Sequence, residues 1–421
     1  MTHGYRMRIK CLILLMGSVL GSAQAATMNV VVGDGQNEGL NNPTPVAPIG
    51  GNRGETLGQQ RLIALQYAAD ILGSRIASAV PIRIAAQFNN MGCRLNQAQL
   101  GSAAPTISTA NFAGARRSDV FYPVALANAQ SGSRLSGTRD DIGAVFNSAL
   151  DAGDATCLQG TTWYYGLDGA RPRGQVNFIS TAVHELTHGL GFVSLVALQD
   201  TSNIQAGQFP ATARNGARLP DIFSSFIQDL SFANQPLWPA LTDAQRRQSL
   251  TNGPNVVWSD ANTSSQAATL LDAGFNQGRV MLYAPATVEP GSSISHWDTS
   301  LDPDQIMEPV ATGHDGVTSG IGLSACVLED IGWQLINGTR CPDVDSAAIA
   351  GAPDDVSRDV NTVNVAGDSG NGTARSGDDD DNNGGGGGGC TIAADARFDP
   401  LWFALLLCAA GALGLRRRRR G

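Results

Sequence analysis

The residues best able to do chemistry lie together in one short run, His184-Glu185-Leu186-Thr187-His188. In a helix, residues four apart share one face, so His184 and His188 can bind the same metal ion. Glu185 lies one residue further round, where its carboxylate can accept a proton from a water molecule. A Lewis acid, an activated water and a proton acceptor are what peptide hydrolysis at neutral pH requires. The pattern predicts a zinc hydrolase with Glu185 as the catalytic base.

A catalytic zinc site normally has three protein ligands and one open position, so a third ligand must come from elsewhere. Of the five histidines, His296 and His314 lie downstream of the motif, and the second stands in a glycine-containing loop. No Glu occurs between Glu185 and Glu289, which argues against a zinc site completed by a Glu of a second helix. An aspartate ligand stays open as an alternative, with three candidates: Asp200, Asp221 and Asp229.

The flanking sequences resemble the leishmanolysin-type metzincins, a family of zinc peptidases. The motif is followed by Gly189-Leu190-Gly191-Phe192, and the downstream histidine stands in Gly291-Ser292-Ser293-Ile294-Ser295-His296-Trp297. Met307 follows eleven residues after that histidine, as does the methionine of the family's turn beneath the metal. The stretch Leu323–Trp333 is similar to the family's ending, so that the resemblance covers most of residues 170–335.

The resemblance implies a metzincin-like, two-lobed fold that hydrolyses protein or peptide substrates. One catalytic Zn²⁺ would be held by His184, His188 and His296, with Met307 packed under the site without binding the metal. The compact metzincin pattern instead places the third histidine six residues after the second, where this chain has Ser194, a poor ligand. Two departures from the family are the insertion 193–290, which has no assignable motif, and the absence of an obvious inhibitory pro-segment. A zinc-stabilised, non-catalytic adhesin or binding module is the alternative from another class.

The body of the chain predicts an α/β (α+β) fold, with a twisted mixed sheet on which the motif helix packs. Strands are predicted at Met28–Val32, Pro81–Phe88, Val120–Val124 and Ile142–Phe146, and a helix within Glu55–Ala79. Val176–Ile179 is either a strand or the lead-in to the motif helix. We expect an N-terminal catalytic lobe over 26–192 and a smaller, irregular C-terminal lobe over 193–345.

The N-terminus predicts export. A basic start, a short apolar core and the sequence Ala23-Gln24-Ala25 are typical of a cleaved signal peptide over 1–25. Four of the seven cysteines lie in the body, and an even number in an oxidising compartment suggests two disulfides. Four cysteines allow three pairings, of which proximity favours Cys93–Cys157 and Cys326–Cys341.

Composition excludes several function classes. Lys10 lies in the signal and is the only lysine, so the mature chain has no side-chain amine for a Schiff base, pyridoxal phosphate or a P-loop. The formal net charge of −9 argues against a nucleic-acid partner.

The C-terminal region predicts a sorting signal. A Gly- and Asp-rich linker over 346–389 precedes Cys390, an apolar stretch at 401–415 that could enter a membrane, and the cluster Arg416–Arg420. This layout resembles bacterial C-terminal sorting tails of the JDVT-CTERM type. It implies that 390–421 is a sorting tail, processed near Cys390 by an envelope sorting protease. The protein would be secreted across the inner membrane of a Gram-negative bacterium to the periplasm, outer membrane or cell surface. A plain C-terminal anchor is the alternative.

Overall fold

The computed structural model describes residues 24–210, 218–310, 320–336 and 338–343, together with the backbone of 391–393. Within these ranges the α-helices are α1 (Leu57–Gly73), α2 (Val124–Ser131), α3 (Phe178–Leu190), α4 (Asp243–Ser249), α5 (Ala261–Leu270) and α6 (Ser324–Ile331). The strands are β1 (Met28–Val32), β2 (Ile82–Asn89), β3 (Gln97–Gln99), β4 (Gly101–Pro105), β5 (Ser108–Thr109), β6 (Tyr122–Pro123), β7 (Ile142–Asn147), β8 (Thr162–Tyr164), β9 (Gln175–Asn177), β10 (Ile227–Asp229), β11 (Val256–Trp258), β12 (Phe275–Asn276), β13 (Arg279–Val280) and β14 (Thr391–Ala393). Short 3-10 helices lie at Gly39–Asn41, Ser148–Ala152, Leu158–Gly160, Ser224–Phe226 and Trp238–Ala240.

Four strands form the central sheet in the order β1-β2-β7-β4. The first three are parallel, with Val30 opposite Ile84 and Ile84 opposite Ile142. The outermost strand β4 runs antiparallel to β7, with Ala103 opposite Ala144. The predicted α/β class with a mixed sheet is therefore confirmed.

The sheet buries one face under helices. In β2, Ile82, Ile84, Ala86 and Phe88 are buried while the alternate residues from Arg83 onward are partly exposed, as the period of two in a strand requires. Helix α1 packs on β1, helix α3 packs on β7 and β4, and the two helices contact each other. The motif helix therefore lies on the sheet, as its apolar flanks predict.

Helix α3 is held against the sheet at both of its ends. At its start, the ring of Phe178 lies 4.9–5.4 Å, between centroids, from four aromatic rings: Phe88, Phe146, Trp163 and Tyr165. Near its end, a Cβ on Gly189 would lie only 2.4 Å from Cγ2 of Ile142. Only a residue without a side chain allows the helix to lie this close to β7.

The chain beyond residue 192 shares a core with the sheet. One hydrophobic cluster contains buried residues from Ala26 to Trp333. The C-terminal segment also contacts the end of α3 and the chain that follows α1: Trp333 Nε1 donates to the carbonyl of Leu190 at 2.9 Å, and Arg75 pairs with Asp343 at 2.6 Å. The boundary between lobes at 192 stays a prediction.

Two predicted strands differ from the structure. Val120–Val124 contains only the two-residue strand β6, because the chain turns into helix α2 at Val124. Val176–Ile179 is divided, with β9 ending at Asn177 and α3 beginning at Phe178. Periodicity over four or five residues does not separate a short strand from the first turn of a helix.

Both expected disulfides are present, Cys93–Cys157 with Cα atoms 5.0 Å apart and Cys326–Cys341 with Cα atoms 4.8 Å apart. Residues 1–23 of the predicted signal, the linker 346–389, Cys390 and the apolar stretch 401–415 lie outside the described residues. In the part of the chain that is described, no helix has the length and apolar character to span a membrane.

We predict that Gly189→Ala destabilises the protein by about 1–3 kcal/mol, because the added methyl group overpacks the contact with Ile142. Urea unfolding at fixed metal concentration measures this. Combining it with Ile142→Ala removes the clashing atoms, so the pair of changes should cost less than the sum of the two single changes. Additive costs would show that the helix and the sheet are not in steric contact at this point.

Candidate metal centre

Helix α3 carries the two motif histidines, whose side chains lie in the protein core. Asn177 caps the helix, its side chain accepting from the amides of Ile179 at 3.0 Å and Ser180 at 3.3 Å. His184 and His188 follow on one face, and both are buried. Neither imidazole has bulk water as a hydrogen-bonding partner, so each must be satisfied inside the protein.

Three imidazoles meet at one point. Nε2 of His184 lies 3.1 Å from Nε2 of His188 and 3.2 Å from Nε2 of His296, and the remaining pair is 3.1 Å apart. The third histidine comes from a loop 108 residues further along the chain than His188. The structure thus brings together the three residues that the sequence analysis selected.

A backbone carbonyl holds the opposite nitrogen of each ring. Nδ1 of His184 donates to the carbonyl of Ile306 at 2.5 Å. Nδ1 of His188 donates to that of Phe192 at 2.7 Å, and Nδ1 of His296 to that of Ser292 at 2.7 Å. Because a carbonyl only accepts, each Nδ1 carries the proton, and a neutral imidazole then has none on Nε2.

The Nε2 contacts are therefore not hydrogen bonds. Three lone pairs point at one another, and burial lowers the pKa of all three rings, that of His184 to about 4. Neutral rings with converging lone pairs repel one another unless a cation accepts them. Tetrahedral Zn²⁺ with bonds of about 2.0–2.1 Å would place its ligand nitrogens about 3.3 Å apart, close to the separations found here. The three residues could hold a metal ion, and they fit the donor set of zinc.

The end of helix α3 supplies the carbonyl for His188. Gly191 has φ +125°, and the amide of Phe192 returns to the carbonyl of Thr187 at 3.1 Å. This left-handed turn folds the chain back over the last helical turn, so the Phe192 carbonyl faces the His188 ring. The Gly-x-Gly-Phe sequence therefore has a direct role in orienting a ligand.

A strained loop carries the third histidine. Ile294 has φ +73°, a conformation that a β-branched residue rarely adopts. It is fully buried, and its amide donates to the carbonyl of Tyr283 at 2.7 Å. The surrounding structure imposes this turn two residues before His296.

The turn around Met307 is tied to the same loop. The amide of Trp297 donates to the carbonyl of Met307 at 2.9 Å, and the Met307 side chain is buried in the main core cluster. A carboxyl oxygen of Glu308 closes the turn by accepting from the amide of Gln305 at 2.7 Å, and burial raises the pKa of Glu308 to about 8. Met307 thus belongs to the segment that orients His184 and anchors the neighbour of His296.

The side chain of Glu185 lies between helix α3, to which it belongs, and the outermost strand of the central sheet. Its side chain is fully buried. A Cβ on Gly101, the first residue of β4, would lie 3.0–3.2 Å from Cγ, Cδ and Oε1 of Glu185. The strand passes directly over the carboxylate, and this contact exists only because residue 101 has no side chain.

The three aspartates considered as ligands have other partners. Asp200 forms an exposed pair with Arg247. Asp229 accepts from Ser249 at 2.6 Å and from Asn252. None of the three belongs to the group of residues that could hold a metal.

Asp221 has a supporting role that the sequence did not reveal. This buried carboxylate accepts from the hydroxyl of Ser224 at 2.7 Å and from the amide of Leu195 at 3.0 Å. The hydroxyl of Ser224 lies 2.8 Å from the hydroxyl of Ser194. The backbone amide of Ser194 in turn donates to the hydroxyl of Ser295 at 3.1 Å. The network links the insertion to the residue before His296, so Asp221 is a positioning residue.

His314 lies outside the described residues. Comparisons of this chain with models of protein families, with curated proteins and with solved structures find no match. The arguments about function therefore depend on the geometry of the site.

We predict that His296→Ala removes most of the bound metal, because two nitrogens from one helix leave the ion without its third ligand. Metal analysis of the purified mature protein after dialysis against zinc measures the loss. His314→Ala is the matched control and should retain about one equivalent. Full metal content in the first variant and loss in the second would contradict the assignment.

Proposed function

We propose that this protein is a zinc metalloendopeptidase of the metzincin type, similar to leishmanolysin. The observation that carries the proposal is the convergence of His184, His188 and His296, two of which lie on the helix that also carries Glu185. In this proposal residues 26–192 and 193–345 are the two lobes, and protein or peptide substrates bind between them.

A zinc ion bound by the three histidines would supply Lewis-acid polarisation of the scissile carbonyl and lower the pKa of a nearby water. The chain's own groups orient the imidazole rings and transfer the proton. The carbonyls of Phe192, Ser292 and Ile306 hold the rings in the tautomer that presents Nε2. Glu185 accepts the proton of the attacking water and later donates it to the leaving amine.

The position of β4 supports a peptide as the substrate. An extended polypeptide can add to the outer edge of a sheet through backbone hydrogen bonds, with little dependence on its sequence. Here the outermost strand of the central sheet begins at Gly101, beside Glu185. A peptide aligned along this strand would pass the catalytic carboxylate.

The proposed setting is the envelope of a Gram-negative bacterium. The two disulfides suit an oxidising compartment. We further propose that 1–25 is a signal peptide and 390–421 a tail that is processed near Cys390 by an envelope sorting protease. The apolar residues 401–415 would place that tail in the membrane before processing.

We predict that Glu185→Gln retains zinc and lowers the rate of casein or peptide hydrolysis by about 10²–10⁴-fold, since it removes the proton acceptor and no ligand. Glu55→Gln, a change of the same type on an exposed residue, is the control and should have wild-type rate. Near wild-type hydrolysis by the zinc-loaded Glu185 variant would refute the peptidase mechanism. A wild-type protein with one zinc and no hydrolysis would favour the binding-module alternative.

A second substitution tests the contact above the carboxylate. Gly101→Ala should lower kcat by about 10- to 100-fold with zinc retained, because a displacement near 1 Å can cost about this much. Gly143→Ala in the neighbouring strand places its methyl group no nearer than 4.0 Å to Thr106 Cγ2 and should leave kcat unchanged. Equal kcat for the two variants would mean that the strand does not position Glu185.

A further inference from the structure

The segment before β1 is docked on the end of helix α1. The amide of Ala26 donates to two carbonyls, that of Gly73 at 3.0 Å and that of Ile76 at 2.9 Å. Gly73 is the last residue of α1, and the amide four residues further on, that of Ala77, donates to the carbonyl of Gln334 instead. The backbone nitrogen of Ala26 therefore supplies a donor that the carboxyl end of the helix lacks.

Contacts further along the chain fix the position of this nitrogen. The carbonyl of Thr27 accepts from the amide of Ile82 at 2.8 Å, which joins the residue after Ala26 to the start of β2. The side chain of Gln66 in α1 holds β1, since its Nε2 donates to the carbonyl of Met28 at 2.7 Å. None of these bonds involves a residue before Ala26, so they hold the nitrogen in place after those residues are removed.

The chain becomes buried at the same residue. Gln24 and Ala25 are exposed, whereas the alternation of buried residues that continues through Met28 and Val30 begins at Ala26. The bond between Ala25 and Ala26 is also where the sequence predicts cleavage of the signal peptide. Cleavage there would give up the bridge from Ala25 to Ala77 and would retain the two carbonyls that face the Ala26 nitrogen.

Cleavage changes the chemistry of this nitrogen. Hydrolysis of the Ala25–Ala26 peptide bond consumes one water, leaves a carboxylate on Ala25 and leaves an amine on Ala26, which is protonated at neutral pH. An amide shares one hydrogen between the two carbonyls, whereas an ammonium has three and can give each carbonyl its own. The carboxyl end of a helix also favours a positive charge. The two carbonyls thus suit the product of cleavage better than its precursor.

The charged residues that flank Gly73 in the chain do not oppose this charge. Asp70 stands in the last turn of α1 and is an acid. Arg75 follows the helix and pairs with Asp343 at 2.6 Å. The positive charge of the arginine is therefore balanced within the fold.

We propose that the carbonyls of Gly73 and Ile76 form a binding site for the α-ammonium of the mature chain, which begins at Ala26. The ligand is a primary ammonium, and it arises only when residues 1–25 are removed. Because Ile76 also bridges to Leu335, the bound ammonium joins the first strand to the segment that follows α6. The inference rests on the proposed signal peptide and does not depend on the peptidase activity.

The composition of the chain provides a direct test. Lys10 is the only lysine, so the mature protein has a single amine, at Ala26, and an amine-selective acylating reagent reports on that group alone. The test uses the complete mature protein, loaded with zinc and purified after export, and the mass of its N-terminal peptide establishes where it begins. The matched control has Gly-Ser-Gly inserted between Ala25 and Ala26, so that its amine lies beyond the two carbonyls.

We expect the mature protein to be acylated about tenfold more slowly than the inserted chain at neutral pH, because the carbonyls hold the nitrogen protonated and the reagent attacks only the free amine. In concentrated urea the two proteins should react alike. Equal rates in the folded proteins overturn the inference, as does an N-terminal peptide that does not begin at Ala26. Peptide hydrolysis plays no part in the measurement, so its outcome is separate from that of the peptidase proposal.

A substitution in the helix gives an independent check. A Cβ on Gly73 would lie 2.5 Å from the carbonyl oxygen of Ala26, so Gly73→Ala should displace the segment and raise the acylation rate toward that of the inserted chain. Gly143→Ala, with its methyl group no nearer than 4.0 Å to Thr106 Cγ2, is the control and should react as wild type. A folded Gly73 variant that reacts as slowly as wild type would overturn the assigned site, and the comparison with the inserted chain decides the matter if this variant does not fold.

Discussion

The arrangement of the candidate centre depends on three hydrogen bonds from imidazole Nδ1 atoms to backbone carbonyls. Each bond determines which ring nitrogen carries the proton, and so decides where the remaining lone pair points. Once Phe192, Ser292 and Ile306 hold the rings, three buried lone pairs converge, and only a cation relieves the repulsion between them. The positions of these three carbonyls therefore matter to the centre as much as the positions of the three histidines.

Each carbonyl has its own structural source. The Phe192 carbonyl comes from a left-handed glycine turn, the Ser292 carbonyl from a loop with a strained Ile294, and the Ile306 carbonyl from the turn around Met307. The insertion between Phe192 and Pro290 supports the second of these through Asp221 and its serine network. A segment with no recognisable motif thus has a clear physical role.

The sheet contributes a second constraint, which is close approach. Gly189 lets helix α3 lie on Ile142, and Gly101 lets β4 pass over Glu185. These two contacts place the Glu185 carboxylate beside the outermost strand of the central sheet.

Several features of the site depend on residues close together in the chain and could therefore be predicted from the sequence. Four-residue spacing on a helix determines that His184 and His188 share a face, and alternation of apolar residues determines the buried side of β2. The pairing of four cysteines followed from proximity along the chain. His296 and Met307 could be selected because the short motifs around them resemble those of the leishmanolysin-type metzincins.

Other features were decided only by the tertiary structure, because they join residues distant in sequence and have no periodic signal. The carbonyl partners of His184 and His296, the contact of Gly101 with Glu185 and the pairing of β14 with β3 are of this kind. Asp221 illustrates the limit: the sequence shows an acid that could bind a metal, but its neighbours Ser224 and Leu195 make it a structural anchor. A carboxylate's chemistry is a property of its type, whereas its role depends on which donors the folded chain places around it.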